Sequence, residues 1–311
     1  MKVIVTGGAG FIGSHVVSEL LEKKYEVYVI DDFSSGKIDN ISEFMPFINV
    51  ICCDITSCEC RNIIKKICPD YIIHLAAQAS VAVSQKDPFL DVKTNLLGLV
   101  NILEGCREIS CKKLVFAASG GTIYGDVPEN ELPITENLPL KACSFYGLTK
   151  MTSVHYLELY RKHFGLDYCA LALGNVYGSK QDPYGESGVV AIFTNKFLND
   201  EECRINGDGS VTRDYVYCKD IARAFVMALE KGSGIINLGT GVETSVTQVY
   251  EMIKNTSGKA APLRHVAPLL GEVKRVALSN SKAKRELGWE PQYDFCNGIK
   301  LTYEAEVKRG K

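Results

Sequence analysis

The chain has 311 residues, with 35 Lys and Arg against 37 Asp and Glu for a net charge of −2, enough length for one large α/β domain or two modest ones around a substantial core. The balance contains no block of like charge, which argues against nucleic acid or an anionic membrane as a partner. No apolar run approaches the roughly 20 residues of a bilayer span, and Met1-Lys2-Val3 leads directly into a strand pattern, so neither a membrane segment nor a signal peptide is expected.

The first element is the β-branched strand Val3-Ile4-Val5, followed by Gly7-Gly8-Ala9-Gly10-Phe11-Ile12-Gly13 and a helical pattern over residues 12–22. Glycines spaced GxxGxxG between a strand and a helix let the backbone approach a pyrophosphate at the helix N-terminus. Gly7, Gly10, Phe11, Ile12 and Gly13 are therefore candidate cofactor contacts. The second strand, 27–30, ends in Asp31-Asp32 about 20 residues after the glycines, where a carboxylate accepts from ribose hydroxyls and repels a 2′-phosphate. No arginine follows immediately, although Lys37 is near; the cofactor reading is NAD.

Buried parallel strands are also predicted at 49–53, 71–75, 114–117 and 168–173, with helices at 61–67, 88–106 and 145–163 between them. Alternating strand and helix predicts an α/β Rossmann-type doubly wound parallel sheet with a smaller C-terminal substrate-binding subdomain. The division expected is 1–174 for the NAD-binding part, with returns around 212–240, and 175–311 mainly for the substrate. Past residue 175 the pattern loosens: 178–188 and 206–210 read as loops, and 235–238 as one more strand.

Twelve cysteines include the group Cys52, Cys53, Cys58, Cys60 and Cys68. No CxxC pair repeats and no histidine lies among them, so no metal site is expected and the thiols read as reduced apolar residues of a cytoplasmic protein.

Tyr146-Gly147-Leu148-Thr149-Lys150 places a tyrosine and a lysine on one helix face. A free tyrosine, with a pKa of about 10, is a poor base at neutral pH. The lysine ammonium and a positive nicotinamide ring would lower that value by about three units, or roughly 4 kcal/mol, so that Tyr146 accepts a proton from a sugar hydroxyl. His74, in an apolar strand, reads as structural.

With these residues in view, the chain resembles the extended short-chain dehydrogenase/reductase family, and within it the UDP-glucose 4-epimerases. The likeness runs through Thr6 to Gly13, Asp31-Asp32-Phe33, Cys53-Asp54-Ile55, His74-Leu75-Ala76-Ala77, Tyr146 with Lys150, Gly174-Asn175-Val176-Tyr177-Gly178, Arg213-Asp214-Tyr215-Val216 and Leu287-Gly288-Trp289-Glu290-Pro291. It implies tightly held NAD, with Asp54 and Ile55 beside the adenine and Leu75, Ala76 and Ala77 along the pyrophosphate and ribose. Lys150 would also hold the nicotinamide ribose. The resemblance further implies that Asn175 and Arg213 touch a substrate diphosphate and that Glu272 binds a ribose.

The chain departs from the family pattern at Gly120, at Leu269 and in Leu171-Ala172-Leu173, where relatives often read Leu-Arg-Tyr. The hydroxyl residue normally found four positions before the tyrosine of a Tyr-Gly pair is here Gly120, which leaves Ser119, preferred, or Thr122 to contact the substrate. Gly120-Gly121 also replace the acidic residues that dehydratases and decarboxylases of the family use, leaving 4-epimerisation of a nucleotide-diphosphate hexose through a 4-keto sugar. Leu269 stands where relatives carry an arginine, for which Lys274, Arg275 or Arg264 would compensate, and Val276 would leave room for an N-acetyl group. The alternatives are a net NAD(P)-dependent reductase or dehydratase of the same fold, which would need different cofactor traffic or acidic residues, and a non-catalytic NAD-binding protein, against which intact Tyr146 and Lys150 argue.

The helices at 88–106 and 145–163 carry too many apolar positions for one sheet-facing stripe. The family pairs them in a two-fold four-helix bundle, so a homodimer is expected; the competing expectation is that the C-terminal segment covers them.

Overall fold

A computed structural model describes residues 1–184, 188–268 and 273–310. Its centre is a seven-stranded parallel sheet built from β1 (Lys2–Thr6), β2 (Glu26–Asp31), β3 (Ile48–Cys52), β4 (Tyr71–His74), β5 (Lys113–Ser119), β6 (Tyr168–Leu173) and the strand Gly234–Leu238. The spatial order is Gly234–Leu238, β6, β5, β4, β1, β2, β3. These segments form strands because helices cover both faces: Val3, Ile4 and Val5 are wholly buried, as are Leu114, Val115 and Cys169 to Ala172. Continuous apolar runs survive only in a sheet covered on both sides.

The chain runs outward from β1 to β2 and β3, then crosses back to place β4 on the other side of β1. The carboxyl ends of β1 and β4 therefore diverge at a switch point, where open α/β sheets form a ligand crevice. The glycine loop and Leu75 to Ala77 leave the sheet there. On one face, α1 (Phe11–Glu22) packs with the helix Cys218–Met227; on the other lie α2 (Cys58–Ile67), Gly98–Ile109 and Phe145–Phe164.

The expected single helix over 88–106 is instead three pieces: Pro88–Val92, a π turn over Lys93–Leu97 and Gly98–Ile109. A π turn inserts one residue into the helical repeat and re-aims the side chains around it. Gly98 lies close under Ile55, where a Cβ would come within 2.5 Å of the isoleucine Cδ1.

After residue 174 the loosened pattern resolves into short ladders. Asn175–Tyr177 pairs with Tyr215–Tyr217, Thr212–Arg213 with Thr244–Ser245, and Cys203–Asn206 with Leu263–Val266. Strands of two to four residues leave too short a period to read. The helices Val189–Leu198, Val246–Ser257 and Phe295–Arg309, also not predicted, enclose a third core around Phe193, Phe197, Tyr217 and Ile299. Residues 178–184 and 207–210 form no regular element, in line with the predicted loops.

Among the described residues, no helix is long and apolar enough to cross a membrane, and no group of three or more His, Cys, Asp or Glu is placed to hold a metal ion.

Candidate active site

The glycine loop is shaped by contacts that exclude side chains. Gly7 has φ +70°, and a Cβ there would lie 2.7 Å from the Ala76 nitrogen; only glycine adopts such a conformation at no steric cost. Gly13 packs against the loop's own backbone, so that a Cβ would sit 2.1 Å from the Gly7 oxygen. The Gly7 N–H donates to Ile30 O at 2.8 Å and the Gly10 N–H to Gly7 O at 3.1 Å, which pins the turn to the sheet. Gly10 caps α1 with no side-chain acceptor, and no acidic residue stands in the first turn. The leading amides of α1 are therefore presented towards an anion over a surface free of side chains. This cradle fits the pyrophosphate of NAD.

Asp31 is buried, and its carboxylate accepts from the Ala9 and Phe33 amides at 2.9 Å each, so it braces the glycine loop itself. Burial raises its pKa, opposed by those two hydrogen bonds. Each carboxylate oxygen retains a second acceptor site for a ribose hydroxyl. The Asp32 carboxylate faces outward and accepts from Ser34. Asp54 stands two residues past the end of β3, accepting from Thr56 N at 2.8 Å, beside buried Ile55. Leu75, Ala76 and Ala77 are half-buried beyond β4. The Ala76 N–H donates to Thr6 Oγ1 at 3.3 Å, and Thr6 Oγ1 bonds His74 Nδ1 at 2.7 Å. Burial, with Lys150 nearby, pushes the His74 pKa down to about 3, so this ring is a neutral strut.

Tyr146 and Lys150 meet as the spacing predicted. Ser144 caps their helix by accepting from Gly147 N at 3.0 Å, which places Tyr146 in the first turn, where its amide donates to Ser84 Oγ at 3.1 Å. Lys150 is 3 % exposed; its Nζ donates to Ala117 O at 2.9 Å and lies 4.7 Å from the Phe116 ring centre and 5.8 Å from that of Tyr146. Burial pushes its pKa down to about 8, with Asp91 opposing.

Ser119 closes β5, half-buried, and Thr122 lies on the following turn with its hydroxyl 3.5 Å from Ser119 O. A side chain at position 120 would point at the core, its Cβ 2.4 Å from Leu278 Cδ1. On this backbone Ser119 and Thr122, rather than position 120, carry the hydroxyls nearest the turn.

A sequence model described as the NAD dependent epimerase/dehydratase family matches residues 3–239. The chain belongs to this family. It is 42 % identical over 298 residues to a putative UDP-glucose 4-epimerase of Methanocaldococcus jannaschii, covering 96 % of each chain. Its fold matches a crystal structure of UDP-glucose 4-epimerase from Thermotoga maritima with UDP-glucose, at TM-score 0.94 and 42 % identity over 100 % of both chains. It also matches the Thermus thermophilus UDP-glucose 4-epimerase complex with NAD, at TM-score 0.91 and 41 % identity over 98 % of both.

In this epimerase-family chain, the segments implied to hold substrate converge beyond β6. Asn175 follows Gly174, its N–H donating to Asp214 O at 2.7 Å. Arg213 Nη1 donates to Thr212 O at 2.8 Å. Asp214 is fully buried and ties three segments together, accepting from Thr240 N and Oγ1, Gly241 N and Leu278 N at 2.6–3.0 Å. Glu272 and Leu269 lie outside the described residues. Arg275 is not a free replacement for the missing arginine: it pairs with Glu243 at 2.5 Å and with Glu129. Val276 is 1 % exposed within the core that also holds Ile134 and Leu278.

The sequence reading missed a buried polar group behind the tyrosine helix: Gln78, Asp91, Asn95 and Thr149. Asn95 accepts from Gln78 N and donates to Gln78 O at 2.9 Å each, fixing the chain just past Ala77. The available signal was Asp91 and Asn95, two polar residues four apart and so on one helix face.

Proposed function

We propose that this enzyme inverts C4 of a UDP-linked hexose of the glucose and galactose type. The observation that carries the reading is Tyr146 and Lys150 on one helix turn, their helix tied through Ser84 and Ala117 to the segments around a glycine cradle suited to NAD. Gly7, Gly10, Phe11, Ile12 and Gly13 would hold the pyrophosphate, Asp31 and Asp32 a ribose, Asp54 and Ile55 the adenine edge, and Leu75 to Ala77 the strip between. Bound NAD supplies reversible hydride exchange at the sugar carbon. Tyr146 takes and returns the hydroxyl proton, Lys150 holds the phenolate by its charge, and Ser119, with Thr122 beside it, orients the sugar oxygen. Asn175, Arg213 and Glu272 bind the nucleotide diphosphate; the guanidinium fork of arginine suits phosphate oxygens. On this reading residues 1–174, with returns around 212–240, form the NAD-binding part and 175–311 mainly the sugar-nucleotide part. Twelve unpaired thiols support a reducing, cytoplasmic setting.

The test is incubation of pure protein with UDP-, dTDP-, CDP- and GDP-hexoses, N-acetylated forms included, without added cofactor. UDP-glucose and UDP-galactose are expected to interconvert with no net change in NAD or NADH. Failure of every hexose to epimerise would overturn the reading, as would stoichiometric consumption of added NADPH.

The active unit is a homodimer. Phe89, Leu97, Leu148, Leu159 and Phe164 are 47–87 % exposed along the two helical stretches 88–109 and 145–164, and the C-terminal helix packs elsewhere, against Val189–Leu198 and Val246–Ser257. Exposed apolar side chains on two neighbouring helices suit an isologous four-helix contact. Light scattering at tens of micromolar is expected to give twice the chain mass of 34.2 kDa; a fully active monomer would remove the dimer from the reading.

A further inference from the structure

A carboxylate that the proposed chemistry does not use sits behind the tyrosine helix. Asp91 is fully buried, and its oxygens accept from three side chains on three segments: Gln78 Nε2 at 2.8 Å, Asn95 Nδ2 at 3.0 Å and Thr149 Oγ1 at 2.8 Å. All three approach as donors, the arrangement that solvates an ionised carboxylate; burial raises the Asp91 pKa, and the bonds from Thr149 and Gln78 and the Lys150 charge oppose that rise. Gln78 is held in turn by Ser80, whose N–H donates to Gln78 Oε1 and whose carbonyl accepts from Gln78 Nε2. Thr149 adjoins Lys150 in sequence, so the network fastens the tyrosine helix to the segment that follows the cofactor strip.

Lys150 needs a counter-charge. A wholly buried ammonium is driven towards its neutral form, and neutral lysine no longer stabilises a phenolate. Lys150 donates to the Ala117 carbonyl of β5 and lies beside the Phe116 ring and the Tyr146 ring of its own helix; the other charged or titratable neighbours are His74 of β4 and Asp91 of the Pro88–Val92 helix, whose carboxylate is fixed by its 2.8 Å bond from Thr149, the residue next to Lys150. His74 is neutral, and Lys150 donates to Ala117 rather than to Asp91, so the carboxylate acts through space. In a low-dielectric interior such an interaction keeps its strength over several ångströms.

We propose that Asp91 is a positioning residue of the reaction, the buried counter-charge that keeps Lys150 protonated beside Tyr146. The proposal rests on the Tyr146–Lys150 reading above.

In the NAD-loaded enzyme, Asp91→Asn keeps the volume and loses the charge. Its alkaline limb of kcat is expected to move down by about one pH unit, with kcat at pH 8 about fivefold lower and KM within about twofold of the parent. Thr149→Val, which keeps the charge, is expected to lower kcat with the limb unmoved. A parental limb in Asp91→Asn overturns the proposal while leaving the Tyr146 assignment standing.

A second measurement needs no turnover. In a Lys150→Met background no buried ammonium is left uncompensated, so Asp91→Asn is expected to lower Tm by less than about half of its effect in the parent. An equal loss in both backgrounds, or failure of the double variant to fold, would make Asp91 a structural residue only and overturn the proposal. If Asp91→Asn alone does not fold and the double variant does, the proposal is upheld.

Discussion

Tyr146→Phe is expected to abolish turnover while the protein still purifies with NAD. The substitution removes one oxygen and leaves the ring that packs 5.8 Å from Lys150 Nζ, the Ser144 cap and the backbone bond from residue 146 to Ser84. The bonds that pin the glycine loop run from Gly7 to Ile30, from Gly10 to Gly7 and from Ala9 to Asp31. A positioned acid–base group contributes roughly 10²–10⁴-fold, and no other group in the proposed mechanism exchanges the sugar proton, so the loss should reach at least the upper part of that range. Chromatographic separation of UDP-glucose from UDP-galactose measures the rate, and acid release measures the cofactor. Near-parental epimerisation would end the assignment. Loss of both rate and NAD would instead mark Tyr146 as part of the cofactor's hold. Lys150→Ala is the contrasting case: its Nζ reaches Ala117 O and faces the tyrosine, so rate and cofactor should fall together.

Gly13→Ala is expected to strip the protein of NAD. The added Cβ would stand 2.1 Å from the Gly7 oxygen and 2.8 Å from Gly8 Cα. Both obstacles are backbone, so no rotamer relieves them and α1 must move off the loop. Overpacking of this kind costs about 3 kcal/mol, which corresponds to roughly a 100-fold loss of affinity if it falls on the loop that presents the helix amides. Gly10→Ala is the milder partner, since its Cβ meets only the Gly7 oxygen, at 3.2 Å. Acid-released NAD and Tm, measured on both variants, separate the two. Stoichiometric NAD in Gly13→Ala would show that the cradle does not hold the cofactor through these contacts.

The sheet was legible because β-branched and aliphatic runs between helical patterns have few alternatives to being buried parallel strands. Val3-Ile4-Val5, Tyr71 to His74 and Tyr168 to Leu173 occupy the strands expected of them. The glycine spacing and the Tyr146–Lys150 pair were legible for the same local reason: their meaning depends on one turn and on one helical repeat. Family membership was readable from those motifs and their order along the chain.

The rest depended on which segments meet. Asp214, which could have been a surface ion pair with its neighbour Arg213, is a buried acceptor for Thr240, Gly241 and Leu278; no local pattern connects residues 26 to 64 positions apart. Arg275 has the charge to replace a missing phosphate ligand, yet Glu243 and Glu129 claim it. Asp91, Asn95 and Thr149 look like ordinary polar helix positions until a π turn and a helix crossing bring them together around Gln78. A sequence by itself determines what a residue offers within one turn or one strand. Its partner across the fold is decided by tertiary structure, because a buried charge takes its energy from whatever donors and charges the packing places beside it.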